Sequence, residues 1–152
     1  MKQGGKSSVK IIVDTNVWVS FLMGRTLLGL ERYICDSHFQ LISCKEQLSE
    51  LEEVLHRPKM ERYFSVQQIN GIFELLADYA LFVKILSAVN ICRDAKDDYL
   101  LALAIDAHAD FLITGDKDLL SIEQVEKTKI ISFKDFENIF LSLEHPRIET
   151  KK

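Results

Sequence analysis

The sequence predicts an α/β protein, a three-layer sandwich in which a central, mostly parallel sheet of about four to five strands is flanked by helices. Short apolar runs rich in β-branched residues alternate with longer segments whose apolar residues recur every three or four positions. The apolar runs are nearly continuous, as in strands buried on both faces of a parallel sheet. Two of them lead directly into an aspartate, at Asp14 and Asp116.

Five segments are predicted as strands. Residues 9–14, 39–44, 110–114 and 129–133 are short and apolar, and residues 82–86 have enough of the same character to form an edge strand. Because helical segments separate these runs, neighbouring strands are expected to be parallel and covered on both faces.

Six segments are predicted as helices, and residues 45–56 are the clearest of them. Leu48, Leu51, Val54 and Leu55 give that segment one apolar face, and Pro58 ends it. Another helix is expected to follow a cap formed by Thr15 and Asn16. The remaining helices are predicted at about 27–36, 65–80, 94–108 and 134–143.

The chain contains no internal repeat or linker, so residues 1–152 are predicted to form one domain. Its core is expected at about 9–143, with flexible polar ends at 1–8 and 144–152. Apolar residues make up 47% of the chain and charged residues 28%, which is an ordinary balance for a globular protein.

Charge and cysteine content narrow the function classes. The formal net charge of -4 argues against nucleic-acid binding through a broad basic face. The three cysteines, Cys35, Cys44 and Cys92, include no C-x-x-C pair and favour a reducing compartment. We find no stretch long and apolar enough to span a membrane and no signal-peptide core in the first eight residues, so a cytoplasmic protein is expected.

Acidic side chains are placed where an α/β sheet binds ligands. Asp14 and Asp116 follow strands, and the carboxyl ends of neighbouring parallel strands converge on one crevice. Asp97 or Asp98 lies at the start of an apolar helix, and Glu50 lies at the border of the apolar face of the 45–56 helix. Clustered carboxylates repel one another, and a divalent cation is the usual reason to retain them. The sequence therefore predicts a metal-dependent enzyme.

Four segments carry these acids in a recognisable order. They are VDTNVWVS at 13–20, SELEEVLHRPK at 49–59, DAKDDYLLALA at 94–104 and ADFLITGDKDLL at 109–120. Together they resemble the four motifs of PIN-domain nucleases, and within that family the branch of toxin components of prokaryotic toxin–antitoxin systems. The resemblance covers about residues 9–143.

The resemblance implies a PIN-like fold and a set of site residues. Asp14, Glu50, Asp97 and Asp116 would be catalytic and bind Mg²⁺ or Mn²⁺, with Asp98 as the alternative to Asp97. Asp118 would support the metal, and Asn16 and Thr114 would order the site by hydrogen bonds. The implied activity is endonucleolytic cleavage of single-stranded RNA by a water that the metal activates. An antitoxin protein and a second copy of the chain are the implied partners.

Basic residues and two alternative functions complete the expectations. Arg57, Lys59 and Arg62 around Pro58, together with Lys117, could contact RNA phosphates, although a solvated helix end would have the same sequence pattern.

A PIN-like binding module with little catalysis is one alternative function. An acidic-pocket phosphatase is less favoured, because such enzymes need a second Asp where this chain has Asn16.

Overall fold

A six-stranded sheet forms the centre of the protein. The computed structural model describes residues 8–24, 27–91 and 97–144. The strands are β1 (Val9–Val13), β2 (Phe39–Ser43), β3 (Ala80–Phe82), β4 (Phe111–Ile113), β5 (Gln124–Val125) and β6 (Thr128–Ile131). Their order across the sheet is β3-β2-β1-β4-β6-β5, and all pairs are parallel except the β5–β6 hairpin. The predicted mostly parallel α/β architecture is confirmed.

Seven α-helices surround the sheet within the described residues. They are α1 (Thr15–Gly24), α2 (Leu27–Ile34), α3 (Lys45–Leu55), α4 (Val66–Tyr79), α5 (Asp98–Ala107), α6 (Lys117–Ile122) and α7 (Phe133–Glu144). A short 3₁₀ turn, Pro58–Met60, follows α3. None of the helices in the described ranges is long and apolar enough to cross a bilayer.

The central strand β1 shows why the molecule has three layers. Ile11 and Val13 point into a core shared with α1, α2, α3, α4 and α7, whereas Ile12 points into a second core shared with α5 and α6. All three side chains are fully buried. A strand covered on both faces explains the continuous apolar run in the sequence.

The edges of the sheet differ from the sequence prediction. The edge strand β3 occupies Ala80–Phe82, because Leu41 of β2 pairs with Ala80; the predicted strand at 82–86 was therefore placed too late. The β5–β6 hairpin was not predicted. Its turn contains Glu126 with a φ of 51°, a conformation that glycine or asparagine usually marks in a sequence.

Two helices begin at residues other than those predicted. Thr15 and Asn16 were expected to precede α1, but the helix begins at Thr15, so the residue before it is Asp14. Helix α5 begins at Asp98, while the predicted start at residues 94–96 lies outside the described residues, as do Cys92 and the chain ends 1–7 and 145–152.

Residues 83–91, here called the strap, follow β3 and make hydrogen bonds to both ends of α5. Val83, Ile85 and Val89 pack on the second core. The carboxylate of Asp106 on α5 accepts hydrogen bonds from the backbone N–H groups of Leu86 (2.6 Å) and Ser87 (2.9 Å) and from the Ser87 hydroxyl (2.5 Å). These bonds hold the pKa of Asp106 below its usual value, the Ser87 hydroxyl contributing most.

Replacing Asp106 with alanine is therefore expected to destabilise the protein in a pH-dependent manner. A lowered carboxyl pKa gives stability that is present above about pH 3.8 and is lost as the pH falls through the folded-state pKa. We expect a loss of about 1 kcal/mol at pH 7, equivalent to about 2 to 4 °C in Tm, and a smaller loss near pH 3. Thermal unfolding across this pH range measures both values.

Asp78→Ala on α4 is the matched control, because Asp78 is exposed and helical and the substitution brings the same gain in helix propensity. Equal melting temperatures for the two variants at pH 7 would show that Asp106 does not hold the strap.

Candidate metal centre

Asp14 is the most buried of the candidate acids. It follows β1, its side chain is only 4% exposed, and its backbone N–H extends the sheet by donating to the Ile113 carbonyl at 2.9 Å. The buried Thr114 hydroxyl donates to Asp14 Oδ2 at 2.7 Å, and the Asn16 backbone N–H lies 3.4 Å from Oδ1. Thr114 thus contacts the side chain directly, whereas the contact from Asn16 is made by its backbone.

The pKa of Asp14 is raised above its usual value. Burial is the largest cause, because it disfavours the charged carboxylate. The hydrogen bonds from Thr114 and Asn16 oppose the shift, while the negative charges of Glu50 and Asp116 add to it. Glu50 and Asp116 therefore each lie close enough to Asp14 to disfavour its negative charge.

Asp116 and Asp118 lie together at the start of α6. The Asp116 side chain accepts a hydrogen bond from the Asp118 N–H at 2.8 Å, and the Asp116 N–H donates to the Thr114 hydroxyl at 3.0 Å. Asp116 is thus the N-cap of α6, and Asp118 lies in the first turn. Through the Thr114 hydroxyl, the positions of Asp14 and Asp116 are linked.

Glu50 projects from α3 toward the same end of the sheet. Its Oε1 atom accepts hydrogen bonds from the Thr15 hydroxyl (2.9 Å) and the Tyr99 hydroxyl (2.5 Å). Burial and the bond to Glu50 raise the pKa of Tyr99 far above its usual value, so Tyr99 stays a neutral hydrogen-bond donor. Sequence analysis missed both hydroxyl groups; the only available signal was their position beside Asp14 and Asp97 in the chain.

Asp97 and Asp98 are distinguished by their surroundings. Asp98 is buried, and its Oδ1 atom accepts a hydrogen bond from the Ile91 N–H at the end of the strap (3.1 Å). Asp97 immediately precedes α5 and is half-buried. The Asp98 carboxylate is thus bonded to the backbone of the strap.

The donor chemistry at this end of the sheet fits a hard divalent cation. Asp14, Glu50 and Asp116 offer carboxylate oxygens, the ligands that Mg²⁺ and Mn²⁺ prefer, and a cation would offset both the burial of the Asp14 charge and its repulsion by Glu50 and Asp116. In the part of the chain that the structure describes, no three acidic, histidine or cysteine side chains are grouped so that they could hold a metal ion. Mg²⁺ keeps several waters, so one or two carboxylates would suffice to bind it here.

A groove of about 290 Å³ runs along α3 beside this site. Its lining residues are Glu46, Ser49, Glu50, Glu53, Val54, Arg57 and Tyr99. Arg57 reaches the groove and lies 3.5 Å from the Glu53 carboxylate in an exposed ion pair. The other three cations that the sequence suggested, Lys59, Arg62 and Lys117, are exposed and do not line this groove.

A larger cavity, of about 520 Å³, lies at the opposite end of the sheet. It is lined by Ser8, Val9, Lys10, Asp110, Phe111, Lys127 and Lys129, near the amino ends of β1, β4 and β6. Lys127 forms an ion pair with Asp110 at 3.1 Å. Because ligands in open α/β sheets bind at the carboxyl ends of the strands, the smaller groove is the better candidate.

Comparison with known proteins identifies the family. The sequence profile of the PIN domain matches residues 10–118, a span that begins in β1 and ends with Asp118. The chain belongs to the PIN domain family. The four-motif resemblance noted in the sequence is thereby confirmed at the level of the family.

Two further proteins are similar to this PIN domain. An uncharacterized protein of Methanocaldococcus jannaschii is 29% identical over an alignment 154 residues long, which covers 97% of this chain and 93% of the relative. A chain in the crystal structure of VapBC2 from Rickettsia felis, bound to a DNA fragment from their promoter, has a TM-score of 0.54 and 15% identity. That match covers 80% of this chain and 97% of the other, and it confirms the PIN-like fold.

Proposed function

We propose that this PIN domain is a Mg²⁺- or Mn²⁺-dependent endoribonuclease that cleaves single-stranded RNA. The observation that carries the proposal is the buried Asp14 carboxylate, whose pKa is raised by burial and by its neighbours Glu50 and Asp116. Folding does not require this repulsion, whereas a cation-dependent reaction would use it. Membership in a family of nucleases supports the same activity.

The carboxylates of Asp14, Glu50, Asp97 and Asp116 would hold one or two ions. The Asp118 carboxylate would act in support, through a water or by orienting the other ligands, and Asp98 is the alternative to Asp97. When bound, the metal would lower the pKa of the attacking water and offset the charge that develops on the phosphate. Thr114 would hold the Asp14 carboxylate in place through the hydrogen bond to Oδ2.

The reaction is a hydrolysis that needs no protein nucleophile. A water oxygen forms a bond to phosphorus, the bond to the 3′ oxygen breaks, and the products carry a 5′-phosphate and a 3′-hydroxyl. The 2′-hydroxyl takes no part, so single-stranded DNA is expected to be a poor alternative substrate. Arg57, Lys59, Arg62 and Lys117 would contribute phosphate contacts, and Arg57 lines the same groove as Glu50.

The acidic groove also suits a protein inhibitor, and we propose that the chain is the toxin of a toxin–antitoxin pair. Its four acidic motifs resemble those of the toxin branch of the family, and its fold is shared with a chain in the crystal structure of VapBC2. An antitoxin segment carrying an arginine could enter the groove beside Glu46, Glu50 and Glu53 and replace the charge of the metal. Pairing with a second copy of the chain, and action in the cytoplasm, belong to the same proposal.

Cleavage of end-labelled RNA tests the activity. We expect the chain to cut single-stranded RNA in Mn²⁺ or Mg²⁺, to lose that activity in EDTA and to regain it when metal is restored. Asp116→Asn should lower the rate by about 100-fold or more, because it removes a charged ligand. Asp78→Asn, which changes an exposed acid on α4, should retain the parental rate.

Two outcomes would contradict the proposal. Cutting that persists in EDTA or in Asp116→Asn would point to a contaminating nuclease. RNA binding without cutting in either metal would favour the alternative of a binding module, for which the supporting observation is that no three potential ligands among the described residues are grouped to hold a metal ion.

A further inference from the structure

One oxygen of Glu50 is held from two sides. The hydroxyls of Thr15 and Tyr99 both donate to Oε1, and they lie 3.4 Å from each other. Within the described residues, Oε2 accepts no hydrogen bond. We propose that Tyr99 is a positioning residue that, together with Thr15, holds Glu50 Oε1 so that Oε2 is presented to the divalent cation. This inference rests on the proposed function.

The need for positioning follows from the place of Glu50. Its long side chain projects from α3 into the open groove that Glu53 and Arg57 also line, where other orientations are available to it. A carboxylate that swings away from the site contributes nothing to a cation held by few protein ligands. Two hydroxyls on the same oxygen restrict that motion and favour coordination through the other oxygen alone.

The two hydroxyls connect the segments that carry the other acids. Thr15 directly follows Asp14 and is buried, while Tyr99 lies in the first turn of α5, two residues after Asp97. Through Glu50 Oε1, helices α1, α3 and α5 are therefore tied at one point. A shift of any of these helices would move Glu50 relative to the other carboxylates.

The backbone beneath Glu50 is anchored one turn earlier on α3. The buried Gln47 side chain donates to the Val13 carbonyl at 2.6 Å and accepts from the Ser43 hydroxyl at 2.6 Å. This network fixes α3 against the ends of β1 and β2. The helix is thus placed independently of Tyr99, so removing the Tyr99 hydroxyl should change the orientation of Glu50 without displacing α3.

Tyr99→Phe removes the hydroxyl and retains the ring that packs on the second core. Titration calorimetry with Mn²⁺ in the absence of RNA is expected to give a Kd about tenfold weaker than that of the parent chain. Thr15→Val, which retains the shape of a buried side chain, should weaken Mn²⁺ binding in the same direction. Tyr63→Phe, at an exposed tyrosine outside the site, should bind Mn²⁺ as the parent does.

Cleavage measured against Mn²⁺ concentration separates positioning from a general loss of structure. Because Tyr99 acts through Glu50 and not on the substrate, excess Mn²⁺ should restore the rate of Tyr99→Phe to nearly that of the parent. Glu50→Gln, which removes the ligand itself, should not be restored. The melting temperature of the metal-free Tyr99→Phe protein should stay close to the parental value.

The outcomes distinguish this inference from the proposed function. If the parent and Tyr63→Phe bind Mn²⁺ and both Tyr99→Phe and Thr15→Val bind it equally tightly, positioning by the hydroxyls is overturned while the metal centre stands. A parent chain with no saturable Mn²⁺ binding would overturn both proposals. If Tyr99→Phe fails to fold, unchanged Mn²⁺ binding by Thr15→Val would overturn the inference.

Discussion

Asp14→Asn is expected to abolish metal-dependent RNA cleavage and, at the same time, to raise the melting temperature of the metal-free protein. The substitution removes a buried charge that is repelled by Glu50 and Asp116, and it keeps an oxygen that can accept the Thr114 hydroxyl. Active sites commonly contain acidic side chains that lower the stability of the fold but are needed for activity. Cleavage assays and thermal unfolding in EDTA measure the two effects.

The gain in stability should depend on pH in a defined direction. A carboxyl group whose folded-state pKa is raised destabilises the protein above that pKa, and the penalty disappears as the pH falls through it toward the unfolded value of 3.8. The variant should therefore melt above the parent at pH 7, and the two melting temperatures should converge near pH 4. A variant that melts below the parent at pH 7 would show that Asp14 is not in a repulsive cluster.

Mn²⁺ should stabilise the parent chain and leave Asp14→Asn nearly unchanged. At a metal concentration about 100 times Kd, binding to the folded state contributes about 2.7 kcal/mol, or about 5 to 11 °C in Tm for a domain of this size. Asp78→Asn is the control for the loss of a carboxylate elsewhere, and it should keep the full Mn²⁺ response. If Mn²⁺ stabilised the parent and Asp14→Asn equally, Asp14 would not be a ligand of the metal.

Phe136→Ala is expected to have the largest effect on stability. Phe136 on α7 is fully buried, and its ring packs against Tyr33, Phe39, Phe111 and Phe140 at centroid distances of 4.8–5.8 Å. Truncating a buried phenylalanine leaves a cavity and costs about 3–5 kcal/mol. That cost is a large part of the stability of a typical domain. Urea unfolding should show it as a lower midpoint.

The stability of Phe136→Ala also tests whether the domain includes α7. The family profile ends at residue 118, yet α7 packs on side chains from β2 and β4, so the folding unit is expected to include it. Lys134→Ala, at an exposed position of the same helix, should change the free energy of unfolding by no more than about 0.5 kcal/mol. If Phe136→Ala is as stable as Lys134→Ala, α7 is not part of the core.

Much of the fold could be predicted because the relevant signals are local. Strand β1 is a continuous apolar run. The spacing of the leucines in α3 predicts a helix with one apolar face, and Pro58 marks where that helix must end. Both patterns follow from the periods of strands and helices. The order of strands and helices then implied a parallel sheet. What escaped prediction is the short helix α6 and the edges of the sheet, where β3 and the β5–β6 hairpin depend on pairing and on a turn without glycine.

The candidate acids could likewise be found from sequence, because Asp14 and Asp116 follow strands whose carboxyl ends must converge in a parallel sheet. The sequence by itself thus determined the family and the fold class, and it predicted the place of the proposed metal centre. The residues that form hydrogen bonds with these acids could not be found in this way. Thr15 and Tyr99 lie 35 and 49 residues from Glu50 along the chain, and no spacing rule links them.

Only the tertiary structure decided how each carboxylate is held. It places the Thr114 hydroxyl on Asp14, two hydroxyls on one oxygen of Glu50, and the Asp98 carboxylate on the backbone of the strap. The physical reason is that hydrogen bonds depend on distances of about 3 Å between groups from different elements. Such distances arise when helices α1, α3 and α5 pack against the sheet, and the periodicity of a single segment does not encode them.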